Sequence, residues 1–303
     1  MSLQEVRQAL GRAAPDKAPG PDGISNRALQ QAIPIIGPYL AAIFNECVVH
    51  SYCPSHFRHS TTVVLRKPGK GDYTDPKAYH PIALLSTIRK ALEAVIAARI
   101  SYLVERHSLL PNTHIGGRKG RSTEHALHLL YERVHAEWRR GNVASLLTLD
   151  VSGTYDNMSH RRLLHNLRKR RLPQKITNWV ASFLQGRLTT MTLMEGEMRD
   201  YQLPTGIPQG SPLSPILYLF YNANHIDATH TQFPEGTLVT GYVEDICILV
   251  WGRDTEENCQ KLAAVHQVAE RWESTYASRF APARYGLVHL VSRHRRANRH
   301  QRH

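Results

Sequence analysis

At 303 residues, 42% of them hydrophobic, the chain has room for one large or two modest domains and enough apolar content to bury a core, which excludes wholesale disorder. Its 38 Lys and Arg against 25 Asp and Glu give a formal charge of +13, a field that attracts polyanions such as nucleic acid or an anionic membrane surface. The spacing of Cys47, Cys53, Cys247 and Cys259 excludes a zinc site and points to buried thiols of an intracellular protein; no run approaches the length of a membrane span, and the opening MSLQEVRQAL is not ordered as a secretory signal.

The first residues read as a helix that stops at Ala18-Pro19-Gly20-Pro21-Asp22-Gly23, because Pro and Gly forbid its continuation. Apolar helices are predicted at about 32–50 and 87–106, with one short strand at 61–66 between them. Ser122 and Thr123 are N-cap types for a helix reaching about residue 140. Residues 144–149 are a continuous apolar run ending in Asp150, the pattern of a buried strand with a carboxylate at its exit. Helices follow at 161–171 and 174–185, then a hairpin turning near Gly196, then a helix from about Leu213. Segments 237–243 and 246–251 flank Glu244 and Asp245 as a hairpin with acids at its tip. A long helix over 255–278 and a strand over 284–291 complete the pattern. Arg293 to His303 holds five Arg and three His with no acid, a solvated tail able to grip phosphates.

Three acids stand out by their setting. A carboxylate at the edge of a core is unfavourable in its charged form unless something positive meets it. Any one of Asp150, Glu244 and Asp245 reads equally well as a turn acid facing water, since Asp favours turns. All three together, in a basic chain, point to a shared cation. Carboxylate oxygens suit Mg²⁺, and two such ions can activate a 3′-hydroxyl and stabilise a leaving pyrophosphate. The residues therefore indicate metal-assisted phosphoryl transfer on nucleic acid.

Motifs in a fixed order then carry a family resemblance. The run from Leu149-Asp150-Val151 through Tyr155 to His160 resembles the first palm motif of LINE-type (non-LTR) reverse transcriptases. Gly206-Ile207-Pro208-Gln209-Gly210-Ser211-Pro212 resembles their second palm motif, and Gly241-Tyr242-Val243-Glu244-Asp245 their YxDD box. Upstream, Ala18–Gly23, Lys67-Pro68-Gly69-Lys70 with His80-Pro81-Ile82, and Gly117-Arg118-Lys119-Gly120-Arg121 are similar to finger motifs; downstream, Phe280-Ala281-Pro282 with His289 is similar to the segment after the palm. The wording is most similar to retrotransposons of filamentous fungi.

The resemblance implies an α+β right-hand polymerase fold, with a palm of antiparallel sheet backed by helices and largely helical fingers. Fingers would occupy 1–125, the palm 126–292 and a basic tail 293–303, with no thumb, endonuclease or RNase H region in view. It implies RNA-directed DNA polymerisation from dNTPs on an RNA template and DNA primer, with two Mg²⁺ or Mn²⁺ ions and no membrane partner. Asp150, Glu244, Asp245 and the Val151 carbonyl would hold the metals. Lys67, His80, Gln209 and Gly210 would hold the dNTP, with Tyr155 crowding a ribose 2′-OH or simply packing the core. Arg118, Lys119 and Arg121 would contact template phosphates. Residence would be nuclear or cytoplasmic, with the mitochondrion as the alternative.

The sequence also departs from the pattern it resembles. Glu244 replaces the first Asp of the YxDD box, and its extra methylene displaces the oxygens by about an ångström, a shift that can cost about a hundredfold in rate. His80 stands where an Arg normally clamps the triphosphate, losing a fixed charge and a bidentate fork. Arg284 stands where a Lys would protonate the leaving pyrophosphate, and a guanidinium is a poor acid at physiological pH. His114 and Ile115 differ from the usual Gln-Phe, and Gly286 replaces an acid. These changes imply a partly degenerate polymerase, or a nucleic-acid-binding relic without turnover.

Overall fold

The computed structural model describes residues 1–69, 71–75, 78–192 and 197–292; Lys70, the turn expected near Gly196 and the tail from Arg293 lie outside the described residues. The chain forms two compact units, each built from two stretches: Met1–Arg106 with Ser159–Pro215, and His107–Met158 with the chain from Ile216 onward. Each sheet draws strands from both stretches of its unit.

In the first unit, α1 (Leu3–Gly11) opens on a capping box in which Ser2 Oγ accepts from Glu5 N and the Glu5 carboxylate accepts from Ser2 N. Helix α2 (Asn26–Val49) begins at its Ser25 cap rather than near residue 32, and runs through Pro34 and Pro38. Both prolines are exposed and lie one turn apart, so the helix bonds they remove fall on the solvent side. By length and composition α2 is sufficient to cross a membrane, which corrects the expectation that no run approaches a span; Leu29, Leu40 and Phe44 are buried, while Ile35, Tyr39 and Ile43 are exposed. Of the thiols expected to be buried, Cys47 and Cys53 are, whereas Cys259 is exposed.

A 3₁₀ turn (Ser55–Arg58) leads into β1 (His59–Arg66), and β2 (Tyr79–Leu84) pairs antiparallel with it. Helices α3 (Thr87–His107), α5 (His160–Lys169) and α6 (Gln174–Leu184) follow in this unit, with β5 (Leu188–Thr192) and β6 (Met198–Gln202). The sheet order is β2-β1-β5-β6, with β1 and β5 parallel. Strand β2, absent from the sequence reading, contains Pro81; it is tolerated because β2 is an edge strand. A buried ion pair joins Arg89 Nε to Glu93 on α3, with side chains 2% and 1% exposed.

The second unit contains α4 (Thr123–Arg139), β3 (Val143–Leu149), β4 (Val151–Ser152), most of α7 (Ser214–Gln232), β7 (Thr237–Tyr242), β8 (Asp245–Gly252), α8 (Thr255–Tyr276), β9 (Arg279–Phe280) and β10 (Gly286–Leu290). Ser122 caps α4 as expected. The main sheet is antiparallel throughout, in the order β10-β3-β8-β7, and β4 pairs with β9. Alternation along β3 assigns its two faces. Ala144 joins Val134 of α4, Leu238 and Leu249 in one core, with Leu146 packed against it; on the other face Asn258 of α8 donates to Ser145 Oγ at 3.0 Å. With one helix on each face, the sheet buries strands that read as nearly unbroken apolar runs.

Candidate active site

The register of β3 and β8 ends with Leu149 opposite Ile246, so the next residues, Asp150 and Asp245, leave the sheet side by side. Glu244 precedes Asp245 in the two-residue turn between Tyr242 and Asp245. Its neighbour Val243 adopts φ +56°, a left-handed conformation that is strained for a β-branched residue and is retained only where the surroundings enforce it. The enforcement is visible. Ile115 N donates to Gly241 O at 2.7 Å and Gly241 N donates to Thr113 O at 3.0 Å, so the segment before the glycine-rich motif runs against the hairpin. A Cβ on Gly116 would meet Val243 N at 2.6 Å, which is why only glycine fits there. Asn222 Nδ2 of α7 donates to Val243 O at 3.4 Å.

Burial raises the pKa of Glu244, with Asp245 and Asp150 adding repulsion, and Asp245 is raised by burial and then by Asp150. Both directions describe negative charge that the fold gathers without neutralising fully. Tyr155 is pushed up to about 12 by burial and then by Glu244, and its ring lies 5.8 Å from buried Tyr218. It packs against the core beside the acids, so both of its expected roles are compatible with its position.

Arg284 Nη1 donates to Asp150 Oδ2 at 2.5 Å. The contact follows from β4 pairing with β9, which sets Val151 opposite Phe280, and from Ala281 N donating to Asp150 O at 2.9 Å. The Val151 carbonyl accepts from Thr154 Oγ1 at 2.8 Å, and a carbonyl has a second lone pair. Among the described residues, no three His, Cys, Asp or Glu side chains converge as a finished metal cage. The donor chemistry fits a hard divalent cation all the same: two carboxylates are adjacent at the sheet end, and a third shares their repulsion.

The other expected nucleotide-binding residues belong to the first unit. Leu65 pairs with His80, so His80 and Lys67, two residues beyond Leu65, share a face of the β1–β2 hairpin. Lys67 N donates to Ala78 O at 2.8 Å and Lys67 O accepts from Tyr73 Oη at 2.9 Å, which holds the backbone past the end of β1. Gly210 has φ +100°, and a Cβ there would lie 3.3 Å from the Ala83 carbonyl of β2. The Gln209-Gly210 loop is thus held near the strand that carries His80. Ser211 Oγ donates to Glu93 and Ser214 Oγ donates to Pro208 O at 2.8 Å, so the loop rests on the buried Arg89–Glu93 pair.

The expected template contacts divide. Arg118 is 5% exposed and its Nη1 donates to Pro111 O at 2.8 Å and His114 O at 3.2 Å, so the guanidinium closes its own loop. Arg121 Nη1 donates to Asn112 O, and Lys119 is exposed. The sequence reading missed Gly116, Asn222 and the Arg89–Glu93 support. Only the consecutive glycines at 116 and 117 offered a local signal.

Comparison with known proteins joins these observations. A family model described as "Reverse transcriptase (RNA-dependent DNA polymerase)" matches residues 65–282. The probable RNA-directed DNA polymerase from transposon X-element of Drosophila melanogaster is 28% identical over 272 residues, covering 88% of this chain and 30% of that protein. The RNA-directed DNA polymerase from mobile element jockey of Drosophila funebris is 29% identical, covering 82% and 27%. A Pol polyprotein from the type-1 retrotransposable element R2 of Nasonia vitripennis is 26% identical, covering 84% and 23%. The chain therefore spans less than a third of the length of these relatives, and they are insect proteins where motif wording suggested fungal ones. Telomerase from Candida tropicalis superposes with a TM-score of 0.54 at 11% identity, covering 84% of this chain and 56% of that one. Telomerase from Candida albicans gives 0.56 at 11%, covering 82% and 47%. These likenesses establish the fold as the right-hand polymerase fold.

Proposed function

The chain belongs to the reverse transcriptase (RNA-dependent DNA polymerase) family, and from that premise we propose that it is the polymerase domain of a non-LTR retrotransposon that extends a DNA primer with dNTPs on an RNA template. The observation that carries the reading is the braced acidic turn: Asp150 and Asp245 leave adjacent strands side by side, with Glu244 in the same turn. These three carboxylates and the Val151 carbonyl are the residues to hold Mg²⁺ or Mn²⁺. Bound there, the ions supply a more acidic attacking hydroxyl and charge neutralisation at the leaving pyrophosphate.

The remaining roles belong to the chain. Tyr155 presents a rigid ring that disfavours a ribose 2′-OH. Lys67 offers a point charge for phosphate, and Gly210 keeps side-chain bulk away from the approaching base pair. Lys119 meets template phosphates. Arg284 acts through charge, holding Asp150 in place, and not as a proton donor. The fungal affinity rests on motif wording alone, and nuclear or cytoplasmic residence follows from the retrotransposon reading.

A second reading, a nucleic-acid-binding relic, is favoured by the longer Glu244 side chain and by the Arg284 contact on Asp150. The deciding experiment is dNTP incorporation on poly(rA)/oligo(dT) with Mg²⁺ or Mn²⁺, comparing the parent with Asp150→Ala and Glu244→Asp. Incorporation that Asp150→Ala abolishes supports a working polymerase. Activity seen only in Glu244→Asp identifies the site and where it has lost function. Silence from all three folded proteins rejects polymerisation in favour of the relic.

A further inference from the structure

The chain's charge is unevenly placed. Residues 158–194 hold eight Lys and Arg and no acid, residues 293–303 hold five Arg and no acid, and the rest of the chain has 25 of each sign. Among the described residues, the whole net charge therefore falls on the segment that forms α5, α6 and β5. Helix α5 shows its cations outward, with Arg161, His165, Arg168 and Lys169 exposed and Leu163 and Leu167 buried. The helix macrodipole accounts for Arg168 and Lys169 in the last turn. It does not account for His160, Arg161 and Arg162 in the first turn, where cations oppose the dipole and no acid is present. Local helix stability thus disfavours part of this charge.

A cavity of about 620 Å³, within the range of ligand sites, opens beside these side chains and is lined by His160, Arg161, Arg168, Gln185, Arg187 and Gln202 among others. Its Arg187 is 5% exposed and donates through Nη1 to Gly206 O at 2.7 Å, and His160 Nε2 donates to the same carbonyl at 2.7 Å. The floor of the groove is held by fixed donors, while Arg161 and Arg168 are exposed at its rim, about 10 Å apart along the helix axis. No large hydrophobic side chain of residues 158–192 is exposed among the described residues. A bilayer surface would need such an apolar anchor, so the ligand favoured is a polyanion in water.

We propose that this groove on the first unit is a phosphodiester-binding site for a nucleic-acid strand, gripped by Arg161, Arg168 and Lys169 and additional to the template contacts assigned above. Such contacts are independent of sequence and strongly salt-dependent. Binding is read without dNTPs or metal, so its failure and that of the polymerase reading are separable.

The test measures affinity for a short unstructured RNA, and for DNA of the same sequence, across a salt series. It compares the parent with two triple variants: Arg161→Gln/Arg168→Gln/Lys169→Gln, and the control Arg7→Gln/Arg12→Gln/Arg106→Gln, whose exposed arginines lie elsewhere in the same unit. The groove triple is expected to weaken binding at least about tenfold and lower the log–log salt slope by about 2, with the control changing affinity less than about threefold. Loss for RNA alone, DNA alone or both supports the site and identifies the strand it takes. Equal loss in the two triples, or none in a groove triple shown to be folded by thermal melting, overturns it. So does groove-dependent binding to anionic phosphatidylserine vesicles in place of both strands. Should the triple fail to fold, the single Arg161→Gln and Arg168→Gln variants serve, each expected to reduce the slope by about 0.7; no change in either overturns the site.

Discussion

Two groups of charge in this protein, one buried and one at a sheet end, are handled in opposite ways. In the first unit, Glu93 is met on one oxygen by Arg89 and on the other by Ser211, and Arg89 also lies 5.2 Å from the centre of the Phe183 ring. In the second, burial and the charge of Asp150 raise the pKa of both Glu244 and Asp245, and only Asp150 has an ion-pair partner, Arg284, among the described residues. A charge kept for architecture is compensated inside the fold, because an unpaired buried ion costs several kcal/mol. A cluster whose repulsion persists marks where something outside the chain is meant to arrive.

Four substitutions test that contrast. Asp150→Ala should lower any dNTP incorporation by about a thousandfold or more, while moving Tm by no more than about 2 °C; a large fall in Tm with modest loss of activity would invert the comparison. Glu93→Gln should do the reverse through stability. It strands the buried Arg89 charge and costs about 3 kcal/mol, roughly 6–12 °C in Tm by differential scanning calorimetry. An unchanged melt would show that the pair is dispensable.

Gly116→Ala sharpens the account of the hairpin, since the new Cβ meets the backbone of Val243. Overpacking against backbone should cost about 1–3 kcal/mol and reduce incorporation further than the melt explains, because the acidic turn must shift. A wild-type melt and rate would show that the brace is looser than described. The smallest effect concerns pH. Burial and repulsion raise the folded pKa of Glu244, so its contribution to stability is present below the unfolded value of 4.5 and is lost as pH rises through the folded value. Glu244→Gln should therefore raise Tm near neutral pH by about 2 °C after solvent screening, with the gain vanishing below the carboxylate range. A gain that persists at acid pH would assign it to packing instead of charge.

Much of the frame was legible locally. The apolar run ending in Asp150, the Ser122 cap, the α5–α6 pair and the acidic hairpin all obey short-range rules of period and capping, and the helices and strands formed there within a few residues. Strand β2 was not legible because Pro81 argues against a strand unless the strand lies at an edge, and edge position is a property of the assembled sheet. Helix α2 was read short because its first residues, Asn26-Arg27-Ala28-Leu29-Gln30-Gln31, are mostly polar and show no apolar period, so only the Ser25 cap marks where it starts.

The site divides along the same line. By its own pattern the sequence determined which residues are candidates for chemistry, since the order of acids, glycines and basic turns needs no third dimension to be read. Only the tertiary structure decided what those residues meet. The closure of β9 onto β4 set Arg284 against Asp150, the loop around Arg118 turned that guanidinium inward, and the close passage of Gly116 held Val243 in a strained turn. Local propensities act over a few residues, whereas these contacts join positions 134 and 127 residues apart in the first and last cases; such pairings arise from packing and strand register, which no short stretch of sequence contains.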